Sequence, residues 1–173
     1  MRWDEIDRKK RTWLIPAEKS KNKKPHLVYL SDLANNILDE CYKNSTHEDS
    51  PWIFPSINSP EKHITDAAIN KAIYRQFTPE KDNPGEGKQT VQAEKHFPFK
   101  GVEKFTPHDL RRTAASHMTG LGIPRLVVSK ILNHVENSVT AIYDRHTYEK
   151  EKQQALETWS SKLKALIQPD KIF

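Results

Sequence analysis

The sequence predicts a mainly α-helical protein with a small antiparallel β-sheet near its N-terminus. Two short strand-like runs flank a lysine-rich turn early in the chain. Apolar residues recur at helical spacing through most of the remaining chain, and a length of 173 residues supports one domain with its own core.

Trp13, Leu14 and Ile15 precede Pro16, and Leu27, Val28, Tyr29 and Leu30 follow Pro25. Both runs are rich in the branched and aromatic side chains that suit a pleated, half-buried surface. Between them Glu18-Lys19-Ser20-Lys21-Asn22-Lys23-Lys24 is too polar for a core, so it forms a hairpin tip whose base the strands fix and whose end they leave free. Ser31 caps a helix with Leu33, Ala34, Ile37, Leu38 and Cys41 on its apolar face. A second helix is expected over 65–76, burying Ala68, Ile69, Ala72 and Ile73. Periodicity then fails among Pro79, Pro84, Gly85 and Gly87, and 77–105 reads as a long mobile loop.

Thr106 is the N-cap of a helix running to Gly120, with Pro107 at its first position and Asp109 complementing the helix dipole at its third. His108 and Arg111 are three apart and share a face. Leu110, Ala114 and Met118 can pack inward. Gly120 and Gly122 end this helix, Pro124 starts the next, and Val127, Val128, Ile131 and Leu132 anchor it. That leaves His134 at its C-terminal end. Tyr143 lies beyond it on a short segment with Val139 and Ile142, and Ala155, Leu156, Trp159, Leu163 and Leu166 trace a final amphipathic helix able to pack on this body or on a neighbouring subunit.

Lys and Arg outnumber Asp and Glu by 28 to 23, a formal charge of +5 with a pI near 9.2. This balance favours a polyanionic partner without proving one. Cys41 is alone, which removes any disulfide framework or Cys-rich zinc site and fits a reducing cytosol. No apolar run approaches the ~18 residues of a membrane span, and no signal-peptide pattern opens the chain.

The chemistry-bearing residues are His108-x-x-Arg111 inside Thr-Pro-His-Asp-Leu-Arg-Arg-Thr, then Leu132-Asn133-His134, then Tyr143 nine positions after His134. An arginine and two histidines can surround a pentacoordinate phosphorus, and a tyrosine just beyond them is a nucleophile that can hold the phosphate covalently. Singly, each has a plainer use: a histidine caps a helix, paired arginines solvate a face, a tyrosine packs. Lys21 alone is one solubilising charge among several. Their joint order and spacing points to phosphodiester chemistry with no metal and no cofactor.

With these residues in view, the chain resembles the catalytic domain of tyrosine recombinases, most closely the prophage-type integrases, over nearly its whole length. The resemblance is carried by Arg2-Trp3-Asp4-Glu5-Ile6-Asp7, Trp13-Leu14-Ile15-Pro16-Ala17-Glu18, the Lys21-Asn22 turn and Pro25-His26-Leu27-Val28-Tyr29-Leu30-Ser31. It is most specific at 106–113 and at Ala141-Ile142-Tyr143-Asp144-Arg145-His146. It implies the breaking-rejoining catalytic fold over 1–173 and site-specific recombination or integration through a 3′-phosphotyrosine. Tyr143 is then the nucleophile, Lys21 the general acid, His108 and Arg111 the His-x-x-Arg pair, and His134 the later His/Trp position. Lys19, Lys23, Lys24 and Arg112 are expected to meet the DNA backbone. Asn133 departs from the family's usual glycine.

The family's first catalytic arginine lies in an Arg-x-x-Glu pattern ahead of the Trp-x-x-Ile-Asp segment, which here is Trp3 to Asp7. Arg2 is therefore read as a decoy, and the chain as truncated at its N-terminus and weakly active or inactive alone. Double-stranded attachment-site DNA is the implied partner, with a homotetramer forming on it in the full-length protein, an accessory directionality factor, no membrane and a location in the bacterial cytoplasm or nucleoid. Three other classes stay open: relaxation of the type IB topoisomerase kind, a metal-dependent phosphohydrolase built on His108-Asp109, and a noncatalytic DNA-binding module.

Overall fold

The computed structural model describes residues 1–45, 49–77, 99, 101–135 and 146–167. Two compact units divide the chain, one of Met1–His63 with Thr113–Phe173, the other of Ile64–Arg112.

The larger unit begins with a three-stranded antiparallel sheet in sequential order: β1 (Ile6–Asp7), β2 (Thr12–Ile15) and β3 (His26–Tyr29). Trp13 faces Ile6 on one side and Val28 on the other, so the two expected runs pair as a hairpin that a short preceding strand extends. Ser31 accepts a hydrogen bond from the Ala34 amide at 3.4 Å and opens α1 (Asp32–Lys43). Leu30, Leu38 and Ile53 form the core here, with Met1, Trp3, Ile6, Trp13, Ala34 and Cys41 packed against it. Ile37, expected on the buried face, is 49% exposed because it sits at the margin of the stripe centred on Leu38.

A second, two-stranded sheet pairs β4 (Pro55–Ser56) with β5 (Ser59–His63). Nothing in the sequence announces it, since β5 is the polar run Ser-Pro-Glu-Lys-His, almost wholly exposed and without alternation.

Helix α3 (Pro107–Gly120) contains the boundary between the units. After it come α4 (Arg125–Ile131) and the long α5 (Glu149–Ile167), which packs on α4, α1 and β3. Met118, Val127, Val128 and Ala155 are the buried apolar residues of these helices. Trp159 of α5 stacks on His117 of α3 with centroids 5.8 Å apart. Arg11 joins the elements at the surface, binding Asp32 at 2.7 Å and Glu157 at 2.6 Å. Among the described residues no helix is long and apolar enough to cross a membrane.

In the smaller unit, Thr65 accepts from the Ala68 amide and starts α2 (Asp66–Arg75). The stripe expected to be buried is not: Ala68, Ile69 and Ala72 are exposed and Ile73 half-buried. Among the described residues this unit holds a trio of rings, Phe77, Phe99 and Phe105, with centroids 5.2–5.4 Å apart. Of the region read as a long loop, 78–98 and 100 lie outside the described residues.

Candidate functional site

Helix α3 opens with a reciprocal cap. Thr106 donates its backbone N–H to Asp109 Oδ2 at 3.0 Å and its hydroxyl to the same oxygen at 2.7 Å, while the Asp109 amide returns a bond to Thr106 Oγ1 at 3.4 Å. The Thr106 hydroxyl, then the Thr106 amide, hold the Asp109 carboxyl below its ordinary pKa. Arg112 lies 3.6 Å from the same carboxylate. His108 and Arg111 sit just inside this start, both exposed and on one face of the helix. Leu110, expected to pack inward, is 54% exposed, whereas Met118 further along is buried. Among the described residues of α3, Met118 is the buried one.

The lysine-rich turn is not free at its end, contrary to expectation. Ser20 is 5% exposed, and its carbonyl accepts the Lys23 amide at 3.0 Å in a turn that sets Lys23 at φ +57. The Asn22 side-chain oxygen accepts the Ser20 hydroxyl at 2.8 Å and the Lys24 amide at 3.0 Å. Lys21, Lys23 and Lys24 are exposed on this frame. Lys19 is engaged elsewhere: its ammonium bonds Glu5 and lies 5.4 Å from the centre of the Trp52 ring. Glu5 is a hub, its side chain only 8% exposed, and it also accepts the Arg2 amide at 3.0 Å and Trp13 Nε1 at 3.1 Å. Burial raises its pKa and these three donors lower it, for a net fall below the ordinary value.

At the far end of α4 the backbone closes a Schellman cap: Asn133 N–H bonds Lys130 O at 3.2 Å, and His134 N–H bonds Ser129 O at 3.1 Å. Asn133 takes the left-handed conformation this cap requires, φ +54, which is where the family's glycine is expected and where asparagine is the best-tolerated substitute. Its side chain reaches the turn: Asn133 Nδ2 donates to Ser20 Oγ at 3.1 Å and Asn22 Nδ2 donates to Asn133 Oδ1 at 2.9 Å. His26 of β3 adds a second tie, Nε2 to Ile131 O at 3.1 Å. The Lys21 turn and the helix end carrying His134 are thereby joined. His134 is exposed and lines an open groove of about 520 Å³ together with Ser116, Thr119, Arg125 and Ser129.

Lys21 and His134 belong to the larger unit, and His108, Arg111 and Arg112 to the smaller. Tyr143 lies outside the described residues, as do Val139 and Ile142. Tyr148, close by in sequence, is half-buried with its ring 4.6 Å from that of His146 and Lys130 5.6 Å from its centre. Arg2 is engaged by Asp4 through two bonds of 2.9 Å. Sequence reasoning missed Ser20, Asn22 and Asn133 as a set, and Glu5 as the anchor of Lys19. The one visible signal was Asn133 standing in a glycine position.

A model of the phage integrase family matches residues 1–150. The chain is 30% identical over 165 residues to a prophage integrase, IntA, of Escherichia coli (strain K12), a match covering 95% of this chain and 34% of that protein. The chain thus spans about a third of the length of that curated relative. No solved structure gives a significant match.

Proposed function

The chain belongs to the phage integrase family of tyrosine recombinases, and from that premise we propose that it carries out site-specific DNA recombination through a tyrosine-linked phosphate. The observation that carries this reading is the ordered set Lys21, His108-x-x-Arg111, Leu132-Asn133-His134 and Tyr143, with the Lys21 turn hydrogen-bonded to the helix end that bears His134.

The reaction is two transesterifications. Tyr143 Oη attacks a scissile phosphorus, an O–P bond forms, the P–O5′ bond breaks, and a 3′-phosphotyrosine and a free 5′-hydroxyl result. A second strand's 5′-hydroxyl then displaces the tyrosine by the reverse route. One phosphodiester is exchanged for another of like energy, so no nucleotide cofactor is needed. Arg111 holds the nonbridging oxygens, with a further arginine of the family pattern beside it, where charge grows in the transition state. His108 assists loss of the Tyr143 proton, His134 hydrogen-bonds the phosphate, and Lys21 protonates the leaving 5′-oxygen. Lys23, Lys24 and Arg112 neutralise backbone phosphates, and Lys19 supports the base of the same turn.

The partner is double-stranded attachment-site DNA, met by a homotetramer of the full-length protein in the bacterial cytoplasm or nucleoid, with an accessory factor setting direction. The test is recombination between two attachment-site duplexes by the full-length protein. Strand exchange lost in both Tyr143→Phe and Arg111→Ala is expected. Relaxation of supercoiled DNA without strand exchange would place the chain among topoisomerases instead, and full activity of Tyr143→Phe would remove the covalent mechanism.

A further inference from the structure

The geometry points to Asn133 as a positioning residue for proton delivery: its side chain sets the turn that carries Lys21, and so governs departure of the 5′-oxygen. The inference rests on the proposed general-acid role of Lys21.

The Schellman cap of α4 needs only a backbone able to reach positive φ, and glycine meets that need at no steric cost. The asparagine side chain is therefore surplus to the cap. It is used instead for a closed ring of three hydrogen bonds: Ser20 Oγ to Asn22 Oδ1 at 2.8 Å, Asn22 Nδ2 to Asn133 Oδ1 at 2.9 Å, and Asn133 Nδ2 to Ser20 Oγ at 3.1 Å. Each of the three side chains both donates and accepts within the ring. Ser20 and Asn22 are the two neighbours of Lys21. Both are gripped while Lys21 itself stays exposed. The members are uncharged and Ser20 is buried, which makes the tether insensitive to salt, unlike the phosphate contacts of Lys23 and Lys24. Bound to the cap of α4 in this way, the turn keeps one position relative to His134 N–H and the end of the helix.

Proton delivery can be separated from attack by changing the leaving atom. With sulfur in the bridging 5′ position, the P–S bond breaks to give a thiolate that needs no proton, because a thiol ionises near a pKa of about 8.5. Two nicked duplexes, identical except for oxygen or sulfur at that atom, are cleaved in single turnover by the full-length protein. Asn133→Gly keeps the left-handed cap and removes only the tether. It is expected to slow cleavage roughly tenfold on the oxygen substrate, the scale of a slightly misplaced group. On sulfur it should match the parent, and Lys21→Ala should show a larger loss with the same rescue. Ser20→Ala and Asn22→Ala should behave as Asn133→Gly does. An equal loss of Asn133→Gly on both substrates would reduce the tether to a folding contact and overturn the inference, as would no loss on oxygen. Failure of sulfur to rescue Lys21→Ala would instead remove the general-acid reading of Lys21, and the inference with it.

Discussion

Lys21, Lys23 and Lys24 carry the same charge on one short turn, so what separates them is where the backbone holds each. Lys21 lies between two residues tied to Asn133, whereas Lys23 and Lys24 continue around the turn with their ammonium groups in solvent. Lys21→Ala should therefore cut cleavage by roughly a hundredfold, or about 3 kcal/mol of transition-state stabilisation, with little change in DNA affinity. Lys23→Ala and Lys24→Ala should do the reverse, each lowering the salt dependence of binding by about one phosphate contact. Parallel titrations of affinity against salt and single-turnover cleavage rates check this, and equal effects of all three on both would erase the distinction. Glu5 gives a prediction of a different kind. Its folded pKa is lowered, so its contribution to stability is present above the ordinary carboxylate value of 4.5 and is lost as pH falls through the lowered one. Thermal melts of Glu5→Gln should lie below the parent near neutrality and converge with it in acid; a gap that persisted at low pH would contradict the hub assigned to this carboxylate.

At the scale of elements, what the sequence revealed was what periodicity and caps encode. The hairpin announces itself through two branched and aromatic runs around a polar turn, and α1, α3, α4 and α5 through helical spacing, with Ser31, Thr106 and Gly120 at helix ends. β5 does not, because a solvated strand with polar residues on both faces has no apolar side to alternate. The apolar stripe of α2 misleads in the opposite sense: spacing tells which face is apolar but not whether anything covers it. The Ser20–Asn22–Asn133 ring was invisible for another reason, since a bond between residues 111 or 113 positions apart leaves no local pattern. Legible caps can be tested directly. Thr106→Ala removes the hydroxyl that holds both Asp109 N–H and Asp109 Oδ2, and should cost about 1 kcal/mol. Because His108 and Arg111 are oriented by this first turn, amide exchange at the start of α3 should accelerate and cleavage should fall. Unchanged exchange would show that another contact fixes the helix start.

For the whole molecule, the net charge of +5 and the basic turn suit a polyanionic partner, and the family match agrees with the sequence motifs. The proposed catalytic set is drawn from distant parts of the chain, with Lys21 on the hairpin, His108 and Arg111 at the start of α3, and His134 past the end of α4. Their order in sequence is what proposes the set, but the contact joining the hairpin to α4 needed three dimensions. The central claim is that Tyr143 becomes covalently attached to DNA. Its most direct test is to incubate the full-length protein with a nicked duplex whose cleaved 5′ end diffuses away, then map the trapped adduct by proteolysis and mass spectrometry. The DNA-derived mass should fall on the peptide containing Tyr143 and vanish in Tyr143→Phe; an adduct on Tyr148, or one that persists in Tyr143→Phe, would contradict the claim.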